Sequence, residues 1–399
     1  MALELVTAGE SHGPELVAVL SGMPAGLRLD RNALDHELAR RQHGHGRGGR
    51  QKIEHDRVEV RSGLRDGITL GSPILLAISN RDWENWQRTM DPWQVDPDQA
   101  NRRRVTAPRP GHADLAGAWK WGHTTDLRNV LERASARETA ARVAGGAVCR
   151  QLLSKCGVKI RSGVMALGEV TLHPGPPTWE LLGAVDDASP LRTVTPHLEP
   201  DLVARVDAAK SAGETLGGVV GVVARGVPPG LGSCARWDDR LDGLLAQAVM
   251  AVQAIKALAI GAGLETPALP GSAAHDPITT GQGGLRRASN HAGGLEGGMT
   301  NGQDLVVRAF MKPIATVRAG LPSVDLASGV PARSAYERSD ITAVPACGVI
   351  VEAAMAFVLA RALLSTFGSG HLDDLLMSLE AYRRRLEPLG PEGFSTETS

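Results

Sequence analysis

At 399 residues with 42% apolar content, the chain can bury a large core, as one big domain or two closely packed ones. A formal net charge of -1 leaves no bulk positive field for general nucleic-acid or membrane-surface binding. Four scattered cysteines, Cys149, Cys156, Cys234 and Cys347, form no C-x-x-C pair, so they read as reduced, buried thiols of a cytoplasmic protein, neither a disulfide frame nor a zinc site.

In chain order, Met1–Gly13 lacks the basic start and apolar run of a signal peptide. Leu3–Thr7 and Leu16–Leu20 are short apolar runs flanking Gly9-Glu10-Ser11-His12-Gly13, which predicts two strands joined by a polar turn. That turn matches G-x-S-x-G, but a hydrolase nucleophile elbow needs a strand–turn–helix context, and strand follows here. Ser11 and His12 therefore read as a hydrogen-bond donor and a proton donor, histidine being a natural acid for an anionic leaving group near neutral pH. Asp30 or Asn32 caps a helix running through Arg41. The stretch Arg40–Arg50 is too glycine-rich for helix and too basic for burial, which predicts an exposed loop ordered by itself or by ligand. Val58–Ser62 and Ile74–Ser79 read as strands, and Asp82–Arg104 as a loop rich in tryptophan and proline.

The centre of the chain is Arg109–Leu153. Ser135 and Glu138 have capping-box spacing, and Ala140, Ala141, Val143, Ala144, Ala147, Val148, Leu152 and Leu153 share one helical face. Arg133 and Arg137 then sit at the positive end of a buried helix. Either they build an anion site there, or they are two surface arginines beside an ordinary cap. Further on, Val158–Leu172 reads as strand, Pro174–Pro200 as a peripheral excursion, Leu202–Ala212 as helix and Gly217–Ala224 as strand. Asp239–Ile260 keeps helical apolar spacing throughout, predicting one long helix. Gly261–Gly302 is dominated by glycine and polar residues, Leu305–Phe310 is a strand, and a final apolar helix spans Val349–Leu364. Its surrounding window contains Pro345, Glu352 and Arg361, so a buried core helix is expected rather than a membrane span. Residues 1–387 read as a single domain and 388–399 as a frayed tail.

Arg41, Arg47, Arg50, Arg109, Arg133, Arg137 and Arg338 all lie in turns, glycine loops or helix starts. Guanidinium forks suit carboxylates and phosphates, so several converging imply a small substrate with more than one anionic group. No histidine–carboxylate spacing suggests a metal site. Two rivals stay open: a serine hydrolase acting through Ser11, and an RNA-binding protein using Arg40–Arg50 and Arg102–Arg104.

These pieces, in order, carry a likeness. Gly9-Glu10-Ser11-His12-Gly13, Arg40-Arg41 with Gly46-Arg47-Gly48, Arg109-Pro110-Gly111-His112-Ala113-Asp114, Leu131 through Ala140, Asn290 through Gly302, Lys312-Pro313-Ile314 and Arg338-Ser339-Asp340 make the chain resemble the chorismate synthases nearly end to end. The resemblance implies an α/β fold of the α+β type, a single-domain sandwich with helices between antiparallel sheets, assembled as a homotetramer. It implies a lyase of the shikimate pathway and aromatic amino acid biosynthesis. The reaction is the 1,4-anti-elimination of phosphate from 5-enolpyruvylshikimate 3-phosphate, giving chorismate. Reduced FMN is required although the reaction is redox-neutral overall, and without an added reductase segment the reduced flavin would come from an external flavin reductase. Residue by residue, His12 matches the acid near the departing phosphate, His112 the histidine beside the reduced flavin, and Asp340 the aspartate that helps flavin N5 take the substrate proton. Ser11, Arg41, Arg47, Arg109 and Arg137 match substrate contacts, with Arg41 and Arg47 also matched to an NADP site. Arg133, Ala134, Ser135, Gln253, Ala254, Gly297, Lys312, Pro313, Ile314, Ala315, Thr316 and Arg338 match flavin contacts. The chain departs from the family pattern at His45, Trp121, Glu214, Ala262 and Leu264, none of them a proposed catalytic group.

Overall fold

Period-two burial builds the first sheet. In β1 (Glu4–Ala8) and β2 (Glu15–Ser21), paired antiparallel from Glu4↔Ser21 to Ala8↔Val17, Leu16, Ala18 and Leu20 are fully buried while Val17 and Val19 between them are half-buried. β3 (Glu59–Ser62) and β4 (Ile74–Ser79) complete an antiparallel sheet in the order β1-β2-β4-β3. The G-x-S-x-G stretch is thus a hairpin loop, and no helix follows it. Its first glycine, Gly9, has φ +103°, and a Cβ there would stand 2.3 Å from the Glu15 carbonyl oxygen, so only glycine closes this turn.

The computed structural model describes residues 2–49, 53–281, 284–337 and 339–387. Arg50, Arg338 and the tail from Pro388 lie outside the described residues. A second antiparallel sheet comes from β5 (Lys159–Leu167), β6 (Val170–Thr171), β7 (Gly218–Arg225), β8 (Ile255–Ile260) and β9 (Leu305–Met311), ordered β8-β9-β7-β5-β6. The main helices are α1 (Arg31–Gln42), α2 (Asp114–Trp121), α3 (Arg128–Ala134), α4 (Thr139–Lys155), α5 (Glu199–Ala212), α6 (Leu241–Met250), α7 (Val344–Phe367) and α8 (Leu372–Leu386). α4 packs on β2 and β4 of the first sheet, α7 packs on β5 and β7 of the second, and the two helices pack on each other. The result is the expected sandwich, with helices as the filling. The two helix backbones approach closely: a Cβ on Gly146 would lie 2.5 Å from the Ala353 Cβ. One apolar cluster runs from Leu3 to Leu379, and each fully buried leucine in it contributes roughly 1.5–3 kcal/mol. α7 is long and apolar enough to cross a membrane by composition, yet 83% of its apolar window is buried inside the protein, as a core helix should be.

Across the filling lies a charged knot. Glu352 of α7 is fully buried and accepts from Arg40 Nη1 at 2.7 Å and Nη2 at 2.9 Å, from Arg150, and from Ser162 Oγ at 2.5 Å. Burial works to raise the Glu352 carboxyl, but Arg40 and Arg150 outweigh it and hold the group well below the usual carboxylate range.

Several expectations are corrected. Arg40 and Arg41 are not in an exposed loop: they form the last turn of α1 and are buried, because Glu352 and Asp56 neutralise them. The predicted long helix Asp239–Ile260 ends at Met250. Ala254 takes φ +69° in the left-handed region, and the rest becomes strand β8 beside β9. The Ser135–Glu138 capping box does not form. Ser135 Oγ caps a single 3-10 turn by accepting from Arg137 N, while the Glu138 carboxylate turns to Thr7, Arg142 and Gln253. Val158–Leu172 turns back on itself as the β5–β6 hairpin. Asp82–Arg104 contains a 3-10 segment and two short helices, and Gly261–Gly302 carries two small hairpins. Cys149, Cys156 and Cys347 are buried, burial pushing the Cys149 thiol up to about 12, whereas Cys234 is exposed.

Candidate active site

The Gly9–Gly13 turn, the start of α2, the end of α3, the α6–β8 turn and the segment ahead of α7 converge on one cavity of about 600 Å³, within the ~300–1,000 Å³ usual for small-molecule sites. It is lined by Ser11, His12, Arg41, Arg47, Arg109, His112, Ala134, Ser135, Arg137, Gln253, Ala254, Lys312, Ile314, Ala315, Thr316 and Asp340 among others. These residues come from remote parts of the chain, so the fold assembles what the sequence scatters.

Each histidine is braced by a buried carboxylate. His12 Nδ1 lies 2.9 and 3.0 Å from the two Glu132 oxygens, and Glu132 Oε2 also accepts the His12 backbone N–H at 2.8 Å. The His12 ring stacks on Trp86 with centroids 3.9 Å apart. Burial would raise the Glu132 carboxyl, but its hydrogen bond to His12 and the nearby Arg128 outweigh that and keep it ionised. On the other side, His112 Nδ1 lies 2.6 Å from Asp114 Oδ1, and Arg109 reaches both Asp114 oxygens and Thr316 Oγ1. Asp114 is fully buried. Desolvation works against its charge, yet the His112 and Arg109 contacts hold it well below the ordinary carboxylate range.

The arginines divide by how fully the protein itself engages them. Arg41 donates to Thr139 Oγ1, Asp56 and the Ala136 carbonyl, and burial, opposed by Asp56 and helped by Arg137 and Arg47, lowers it to about 10. It is a wall of the site. Arg137 donates to Asp56 at 2.7 Å and to Asn80 at 3.0 Å, while its Nη2 makes no hydrogen bond and stands 3.6 Å from Glu54 Oε2. Arg47 pairs with Asp340 at 3.3 Å, and its buried Nε has no hydrogen-bond partner. Asp340 Oδ1 accepts the Gly48 N–H at 2.6 Å, tying the glycine loop to the segment before α7. It is no helix cap: α7 starts at Val344, whose N–H goes to Thr342 Oγ1.

For a flavin, the fit rests on this chain's own polar groups. Gln253 Oε1 is buried without a partner, Ala254 holds a left-handed φ of +69° beside it, and Lys312 reaches the Gly111 carbonyl across the cavity at 2.5 Å. A strained residue next to an unsatisfied buried acceptor is what a ligand-facing turn looks like. Three expected flavin contacts do not line the cavity. Arg133 folds back over β1 to the Thr7 and Gly9 carbonyls, Pro313 points to the surface, and Gly297 belongs to a hairpin held elsewhere through Gly298 to Leu241. Arg338 lies outside the described residues. Glu132, Asp114, Asp56 and Trp86 were missed as functional residues. Only Asp114 had a usable cue, its spacing from Arg109 and His112. Among the described residues no group of His, Cys, Asp and Glu could hold a metal ion.

A family model described as chorismate synthase matches residues 3–364. The chorismate synthase of Moorella thermoacetica is 51% identical over 388 residues, covering 97% of this chain and 100% of that protein. The chorismate synthase of Mycobacterium avium is 51% identical over 387 residues, covering 96% of each. A solved structure titled "Crystal Structure of Chorismate Synthase" is 40% identical, with a TM-score of 0.77 over 97% of this chain and 99% of that one. The chain belongs to the chorismate synthase family, lyases of the shikimate pathway that form chorismate.

Proposed function

We propose that the 600 Å³ cavity binds 5-enolpyruvylshikimate 3-phosphate together with reduced FMN, and that its side chains carry out the 1,4-elimination of phosphate. The observation that carries this reading is the meeting, in one cavity, of two carboxylate-braced histidines and an arginine whose buried Nε has no partner. The substrate offers two carboxylates and a phosphate, the ligand chemistry that partly unsatisfied guanidinium groups select. Arg47 and Arg137 hold these anions, and Arg41 and Arg109 fix the walls. His12 gives a proton to the departing phosphate, so that the broken C–O bond leaves a neutralised oxygen. Ser11, on the same turn, donates a hydrogen bond to the same group. Across the cavity the substrate loses a ring proton as the second ring double bond forms, so no net oxidation occurs.

Reduced FMN, when bound, supplies a transient electron and a basic ring nitrogen for that proton. Gln253, Ala254, Lys312, Ile314, Ala315 and Thr316 would hold it, with Ala134 and Ser135. His112 orders its edge through the nitrogen that Asp114 leaves open, and Asp340 keeps a carboxylate near the proton's destination. Reduced flavin from an external reductase, assembly as a homotetramer and a cytoplasmic location are carried into the same reading.

The test is an anaerobic assay of phosphate release from the enolpyruvyl substrate, with and without dithionite-reduced FMN. Release that needs the reduced flavin is expected. Release at the same rate without it, or none with it, would overturn the reading. Covalent labelling of Ser11 by a fluorophosphonate would favour a hydrolase instead.

A further inference from the structure

The turn that carries Ser11 and His12 is tied to one buried carboxylate residue, Glu132. Glu132 alone accepts three contacts from the Ser11–His12 turn: the His12 imidazole through Nδ1, the His12 backbone N–H, and, through its own carbonyl, the Ser11 N–H at 3.1 Å. Its side chain is 1% exposed. Behind it, Arg128 donates to the same Oε1 at 2.9 Å, to Glu337 at 3.0 Å and to the Arg103 carbonyl at 2.9 Å, so the carboxylate cannot swing away. Trp86 stacks on the imidazole and carries the Arg103 guanidinium 4.0 Å from its ring centre, which keeps the indole in place.

We infer that Glu132 is the positioning residue of the acid, fixing the His12 imidazole so that Nδ1 keeps its proton and Nε2 delivers one. The inference rests on the reading of His12 as the acid. A carboxylate can only accept, so neutral His12 beside it must hold its proton on Nδ1. After the proton leaves Nε2, the ring is already in the tautomer that Glu132 favours, and no ring flip is required within the catalytic step. A glutamine at this position lacks that preference, because its amide presents a donor as readily as an acceptor to Nδ1.

The test compares full-length wild type, Glu132→Gln, Glu132→Asp and His12→Ala. Ring ¹⁵N shifts of His12, assigned by its loss in His12→Ala and followed by raising the pH from the doubly protonated to the neutral ring, should show that the neutral ring keeps its proton on Nδ1 in wild type and shifts towards the other tautomer in Glu132→Gln. Turnover in Glu132→Gln should fall at least tenfold but by less than in His12→Ala, where the loss of a general acid is ~10²–10⁴-fold. Its KM for the substrate and its affinity for reduced FMN should stay near wild type. Glu132→Asp keeps the charge and should recover part of the turnover. An Nδ1-protonated ring with wild-type turnover in Glu132→Gln overturns the inference, as does a turnover loss matched by equal losses of flavin affinity and melting temperature in both Glu132 variants. If His12→Ala itself keeps wild-type turnover, the acid reading fails, and the tautomer measurement separately decides whether Glu132 orders the ring.

Discussion

Replacing Asp340 by asparagine separates a structural from a chemical role. Asp340 Oδ1 accepts the Gly48 N–H at 2.6 Å, and Oδ2 stands 3.3 Å from Arg47 Nη1. Asparagine has nearly the same shape and keeps an oxygen for Gly48. It loses the charge. A hydrogen bond to a charged group contributes about 1.5–3 kcal/mol and a neutral one about 0.5–1.5 kcal/mol, so the difference is about 1 kcal/mol per bond. The Asp340 side chain is 18% exposed and its ion pair with Arg47 is long, which places the loss at the low end of that range. In a chain of this size, 1 kcal/mol moves the melting temperature by no more than about 2–4 °C. Helix α7 is untouched, since its first N–H groups do not use Asp340. Asparagine cannot take or relay a proton, so turnover should fall by ~10²–10⁴-fold if the carboxylate manages proton removal. The assay pairs a thermal melt and a titration with reduced FMN against anaerobic single turnover, with stopped-flow absorbance following the slowed decay of the flavin signal. A fully active variant, or one inactive only because it melts early, would return Asp340 to holding the Gly48 loop.

Other outcomes follow from the same contacts. His12→Ala should lower turnover ~10²–10⁴-fold at nearly unchanged FMN affinity, measured by fluorescence titration, because the acid acts only in the transition state. Arg47→Ala should raise the substrate KM roughly tenfold or more, a loss of about 1.5–3 kcal/mol, with Arg47→Lys in between; steady-state kinetics would show unchanged KM if the loop lies outside the pocket. Glu352→Ala should cost about 3 kcal/mol in urea melts, the low end for breaking a buried pair, because it removes the fully buried partner of Arg40 while Glu37 and Asp187 remain to it. Glu352 has a depressed folded pKa, so its contribution is present above the unfolded glutamate value of about 4.3 and is lost as pH falls towards the folded value. The stability gap between wild type and Glu352→Gln should therefore narrow on acidification below about pH 4.3, and a gap that stays constant from neutral pH into acid would refute the charged knot.

The strands and the central helices were readable in the sequence because burial imposes period: Leu16, Ala18 and Leu20 alternate, and the apolar face of α4 recurs at helical spacing. The break after Met250 was not. The apolar positions of Asp239–Ile260 keep helical spacing through it, and the residue that turns the chain, Ala254, is neither glycine nor proline. Its left-handed backbone is set by the pairing of β8 with β9 and by the Lys312 N–H bonded to its carbonyl, both tertiary effects. The site shows the same division. Ser11, His12, His112 and the loop arginines stand out because unpaired chemistry in glycine-rich turns is conspicuous. Their supports do not. Glu132 and Asp56 look like ordinary helix and loop acids until the fold sets them against His12 and Arg137, 120 and 81 residues away along the chain. The burial of Arg40 and Arg41 was misjudged for the same reason, since Glu352 and Asp56, which neutralise them, are remote or unmarked in sequence.

The most direct check of the account is a crystal structure of the full chain with FMN and the enolpyruvyl phosphate substrate bound together. The substrate phosphate is expected within about 3.2 Å of His12 Nε2, with Arg47 Nε satisfied by one of the substrate's anionic groups. Ligand bound instead in the separate basic cavity lined by Arg40, Arg150 and Arg192, with Arg47 Nε still unpartnered, would contradict it.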